Sequence, residues 1–139
     1  MKTQEAELKI DEIRRYREEK EELGRFLSQR GMRLEAVASK IGSPYFDKFI
    51  SALAAMGEMI ERGADAAKTG DLELTGRILG AGAKVQKDAV YGVLIESMGG
   101  IRPILDQGIN GHLALLRDYI MERYETGVTK CEVILAKAA

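Results

Sequence analysis

The chain has 139 residues, 31% of them charged and 45% apolar, and a formal net charge of −1. That balance describes a folded, helix-rich domain and excludes an intrinsically disordered segment. It also excludes a strongly basic nucleic-acid arm, since the first fifty residues hold eleven Lys/Arg against ten Asp/Glu.

Residues 3–30 read as one unbroken charged helix with a thin apolar seam. Ala6, Ile10, Ile13, Tyr16, Leu23 and Leu27 recur mostly every three or four residues, the spacing that keeps side chains on one helix face. At 1.5 Å per residue such a helix reaches roughly 40 Å. A rod of that length needs a surface to cover its seam, in its own chain or in another copy. These six residues are therefore the candidate interface, with a coiled-coil dimer as the specific expectation. Acid–base pairs four apart, such as Arg14–Glu18 and Arg15–Glu19, add only a few tenths of a kcal/mol each.

Gly31 ends this helix, and a short helical segment follows with Leu34, Val37, Ala38 and Ile41 at helical spacing. Ser43-Pro44 then signals a helix start, with Ser as cap and Pro at the first helical position. The next helix runs to about Lys68, with a stripe of Phe46, Phe49, Leu53, Met56, Ile60, Ala64 and Ala67. Residues 33–50 resemble a helix-turn-helix with a shortened turn, which implies a nucleic-acid-binding regulator as one alternative. The second helix of that pair, however, offers only Lys48 before an apolar run.

Thr69-Gly70-Asp71 marks a turn and cap. A third long helix is expected over 72–98, with a stripe of Thr75, Ile78, Gly82, Val85, Ala89 and Val93. Gly76, Gly80 and Gly82 lie inside it, and each costs up to about 1 kcal/mol relative to Ala. Close approach of a neighbouring helix is the expected compensation, with a helix break near residues 80–82 as the alternative. A small-molecule sensor holding its ligand beside this glycine-bearing helix is a further functional alternative. Residues 66–88 resemble the second half of an ankyrin repeat, and residues 110–116 echo the same phrase. The family's Thr-Pro-Leu-His signature is absent, so Gly-Asp-Leu and Gly-His-Leu read as helix starts.

Gly99-Gly100 closes the third helix, and residues 102–107 suggest one short helical turn. From Asn110-Gly111 a last helix is expected to about 137, with a terminal strand over 128–135 as the alternative.

Chemistry is sparse. His112 is the only histidine, so neither a Glu-x-x-His pair of sites nor His-Glu-x-x-His can be built. Cys131 is the only cysteine and continues an apolar stripe, which reads as a packed thiol. On one helix the two lie roughly 28 Å apart, too far for a thiol–imidazole pair. Gly80-Ala81-Gly82-Ala83-Lys84 is followed by Val85 where a phosphate loop needs Ser or Thr. No catalytic, cofactor or metal residue is assigned.

The expectation is a single all-α domain over 1–139, an antiparallel bundle of about four long helices with a long N-terminal helix and a helical core over 45–137. Its expected role is non-enzymatic: a cytoplasmic protein acting through protein–protein contact, a homo-oligomer with a dimer favoured. No run approaches the roughly 20 apolar residues of a membrane span.

Overall fold

A computed structural model describes residues 2–103 and 111–138, with side chains from residue 10 onward. Its elements are α1 (Lys2–Ser28), α2 (Leu34–Ile41), α3 (Tyr45–Lys68), α4 (Leu72–Arg77), a π-helical stretch (Ile78–Ala83), α5 (Lys84–Ser97) and α6 (Gly111–Ala138). No strand occurs among the described residues, so 128–135 is helical throughout. Most of the short turn expected at 102–107 lies outside the described residues.

The helix ends follow local chemistry. Gly31 takes φ +74°, Met32 N–H donates to the Leu27 carbonyl (2.9 Å) and Gly31 N–H to that of Ser28. This Schellman closure satisfies carbonyls that α1 would otherwise leave open. Asp71 caps α4 by accepting from the Leu74 N–H at 2.9 Å. Ser43 makes no corresponding cap: α3 begins at Tyr45 without a side-chain capping bond.

Helix α3 is the hub, packing against every other element named above. Phe49, Ile50, Leu53 and Met56 are fully buried along it and join Leu23, Leu27, Val37, Val90, Leu116, Ile120 and Cys131 in one apolar cluster. Burying each such side chain stabilises the fold by about 1.5–3 kcal/mol.

Glycines show how the hub meets its neighbours. A Cβ at Gly63 would lie 2.9 Å from Leu79, and one at Gly82 would lie 2.7 Å from Met59, so α3 and the α4–α5 helix run in opposite directions. A Cβ at Gly57 would meet Arg123, one at Gly127 would meet Ile60 and one at Gly63 would also meet Cys131; α3 and α6 therefore run the same way.

Helix α1 lies across this group. Glu19, Phe26 and Arg30 meet Tyr119, Glu122 and Arg123. The fold is all-helical, with α3 antiparallel to the α4–α5 helix and parallel to α6.

The third long helix neither breaks at 80–82 nor stays regular. Its π-helical turn carries extra residues and re-aims the face that follows. Thr75, Ala83, Val90 and Leu94 are buried, while Val85 is 54% exposed and Ala89 is exposed as well. The predicted stripe is thus rotated at Val85 and Ala89. Nothing lies within 4 Å of a Cβ at Gly76 or Gly80, so neither admits a close neighbour; Gly82 does.

Candidate functional site

Two features of the surface could support a function: the projecting part of α1, and a groove where α1, α3 and α6 meet.

The six seam residues of α1 separate into two groups. Leu23 and Leu27 are fully buried in the chain's own core. Tyr16 is half-buried, and its hydroxyl donates to Asp47 at 2.6 Å. Burial and that hydrogen bond push the Tyr16 phenol up to about 12. Ile10 and Ile13 stand 64% and 58% exposed. The Ala6 side chain lies outside the described residues. Among the described residues, ion pairs of Arg14 run only to Asp11 and Glu18 of the same helix, and the first bonds to another element come from Arg15 (to Glu61, 2.8 Å) and Tyr16. The same spacing therefore serves an internal face in the second half of α1 and an uncovered face in the first.

The groove is about 540 Å³ and opens between α1, α3 and α6. At its edge is a buried polar cluster. Glu19 is only 4% exposed. Arg123 Nη2 donates to Glu19 Oε1, Tyr119 Oη donates to Glu19 Oε2 at 3.2 Å, and Glu22 lies 3.5 Å from Arg123. A Cβ at Gly57 would come 2.9 Å from Glu19 Oε1, so glycine there makes room for the ion pair. Phe26 packs edge-on to Tyr119 with ring centroids 5.1 Å apart, and Arg30 lies over the other part of that wall, 3.5 Å from the Phe26 centroid.

Electrostatics follow from this burial. Desolvation pushes the Glu19 carboxyl up, against the opposing pull of Arg123. Desolvation works to lower the Arg123 value, but the contact with Glu19 outweighs it and the guanidinium stays charged. Burial, then the neighbouring Glu19 charge, pushes the Tyr119 phenol up. Arg123 Nε is buried with no hydrogen-bond acceptor.

Sequence reasoning missed Glu19, Gly57, Tyr119 and Arg123. One signal was available: Glu19 falls on the apolar face, one turn before Leu23, and a carboxylate there must find a partner. The partner lies 104 residues away, and no local pattern names it. Arg15 pairs with Glu61 and not with Glu19.

The other candidates are dispersed. In the helix-turn-helix-like segment 33–50, Val37, Ile41, Phe46, Phe49 and Ile50 are buried, leaving Asp47 and Lys48 outward from α3's first turn. The exposed charged residues of the whole segment are Arg33, Lys40 and Lys48 against Glu35 and Asp47. His112 is half-buried in the first turn of α6, and Cys131 is buried on the same helix with its thiol donating to the Ile60 carbonyl at 3.5 Å. Burial pushes that thiol up. Among the described residues no three His, Cys, Asp or Glu side chains gather as a metal site, and no helix is long and apolar enough to cross a membrane.

No known protein family, no curated protein and no solved structure matches this chain. Any functional reading therefore rests on its own residues.

Proposed function

We propose that this is a non-enzymatic, cytoplasmic interaction protein, a single helical domain that self-assembles into a homo-oligomer through the N-terminal part of α1. A dimer is the simplest form. The observation that carries this reading is the exposure of Ile10 and Ile13, one turn apart on a helical arm whose Arg14 pairs only within that arm. Two exposed isoleucines on one face lose apolar area to water that a second arm would cover, at about 25 cal/mol per Å².

The proposed contact is shorter than the original seam. Leu23 and Leu27 serve the chain's own core, so the strip available to another copy comprises Ala6, Ile10 and Ile13. Mixed charges beside it, Asp11, Glu12 and Arg14, allow ion pairs between two arms without a net repulsive field.

Sedimentation velocity over two decades of protein concentration tests this directly. The wild type is expected to pass from monomer to dimer as concentration rises. The double variant Ile10→Asp/Ile13→Asp should stay monomeric with unchanged helical circular dichroism, because neither residue contributes to the core. A wild type that is monomeric throughout, or a dimer that survives both substitutions, refutes the proposal.

A further inference from the structure

We infer that the groove between α1, α3 and α6 binds a small organic anion, one with an apolar body and a carboxylate, phosphate or sulfonate group. The site differs from the ligand position that the glycine-bearing third helix suggested, and it stands whether or not copies of the chain associate.

Size is the first ground. A concavity of about 540 Å³ falls inside the range of roughly 300–1,000 Å³ typical of small-molecule sites. Its lining is mixed in the way such sites are. Phe26, Ile60, Ala64 and the Tyr119 ring offer apolar surface, and charged groups stand around them.

Charge decides the class. Three carboxylates line the groove, each near a cation: Glu22 lies 3.5 Å from Arg123, which it shares with Glu19, Glu61 lies 2.8 Å from Arg15 and Glu122 3.8 Å from Arg30. Arg25 on the α1 wall and Lys130 on the α6 wall also line it, and neither forms an ion pair among the described residues. The groove thus presents two cations without ion pairs among the described residues, and its lining carries four cations, Arg25, Arg30, Arg123 and Lys130, against those three carboxylates. A neutral apolar guest would leave both without a counter-charge, and a cationic guest would be repelled.

The probe is 8-anilinonaphthalene-1-sulfonate, whose fluorescence rises on entering an apolar site. Its counterpart N-phenyl-1-naphthylamine has the same apolar body and no sulfonate. Saturable binding of the sulfonate at one site per chain is expected, with much weaker binding of the uncharged amine. Arg25→Glu/Lys130→Glu should lower sulfonate affinity about tenfold or more and leave the amine unchanged. Both positions are exposed, so folding is retained and circular dichroism verifies it. Thr126→Trp, at an exposed position on the α6 wall, should fill the groove and abolish binding. Ile10→Asp/Ile13→Asp should leave binding intact, which separates the groove from the α1 arm. Equal binding of the two dyes, indifference to the charge reversals or to Thr126→Trp, or loss of binding with the arm variant overturns the inference. Displacement of the dye by inorganic phosphate at equal concentration overturns the apolar part of the assignment.

Discussion

Replacing Arg123 by Met keeps most of the side-chain volume and removes the cation that faces Glu19. Glu19 is then a 4%-exposed carboxylate whose remaining partner is the Tyr119 hydroxyl at 3.2 Å. Breaking a buried ion pair from one side costs about 3–5 kcal/mol. Two factors hold this case to the lower end, about 3 kcal/mol at pH 7. Tyr119 still donates to the charge, and the carboxyl can escape it by taking a proton, since burial already pushes its affinity for protons up. In urea, with a slope of about 1–3 kcal/mol per M, the midpoint should fall by roughly 1–3 M. The pH dependence has a definite sign. A carboxyl that holds its proton more tightly when folded than when unfolded is most destabilising when ionised, and the penalty fades as pH falls through its folded value toward the unfolded one. The variant should therefore recover toward wild type as pH is lowered from about 7. Adding Glu19→Gln should also restore stability, because a neutral amide is cheaper to bury than an unpaired carboxylate. An Arg123→Met protein within about 1 kcal/mol of wild type at pH 7, or a double variant less stable than the single one, refutes this account of the cluster.

Close packing at glycines gives a paired test. Gly127→Ala drives a Cβ to 2.7 Å from two Ile60 carbons and should cost about 1–3 kcal/mol, whereas Gly76→Ala meets nothing within 4 Å and should raise stability by up to about 1 kcal/mol; thermal melts decide both. Leu23→Ala should cost about 2–5 kcal/mol in denaturant titrations, while Ile13→Asp on the same seam should change monomer stability by less than about 0.5 kcal/mol. The Cys131 thiol should resist a disulfide exchange reagent in the native protein and react at once in denaturant, since it is buried and its thiol is pushed up. Tyr16→Phe should remove a stability loss that the wild type shows as pH rises from 10 through about 12, where the folded phenol ionises later than the unfolded one.

Much of the all-helical architecture was legible because helical periodicity is a local property. The last helix was expected over 111–137 and spans Gly111–Ala138, and the first was expected over 3–30 and spans Lys2–Ser28. What the period cannot convey is coverage. Ile10, Ile13, Leu23 and Leu27 obey one spacing, yet two are in water and two are in the core, because among the described residues the bonds of α1 to other elements begin only at Arg15 and Tyr16. The third helix failed for a different reason. A constant 3.6-residue period carries the stripe to Val85 and Ala89, while the π-helical turn changes the count and turns Ala83, Val90 and Leu94 inward. Glycine content announced close packing and placed it in part: Gly82 meets Met59 closely, Gly57, Gly63 and Gly127 make the other tight contacts, and Gly76 and Gly80 face open space. The groove was invisible for the most general reason. Its walls come from three helices, and no residue pattern within any one of them marks where they diverge.

The wide turn at Ile78–Ala83 leaves this helix with spare length. A π turn holds more residues than an α turn at nearly the same advance, so shortening the stretch by one residue can return it to ordinary helix while Thr75 before it and Val90 after it keep their bearings. Gly80 and Ala81, both exposed, are where such a deletion meets least resistance. The surplus residue confines a tolerable deletion to that one turn, since the same loss elsewhere in the helix would rotate Val90 and Leu94 away from the core.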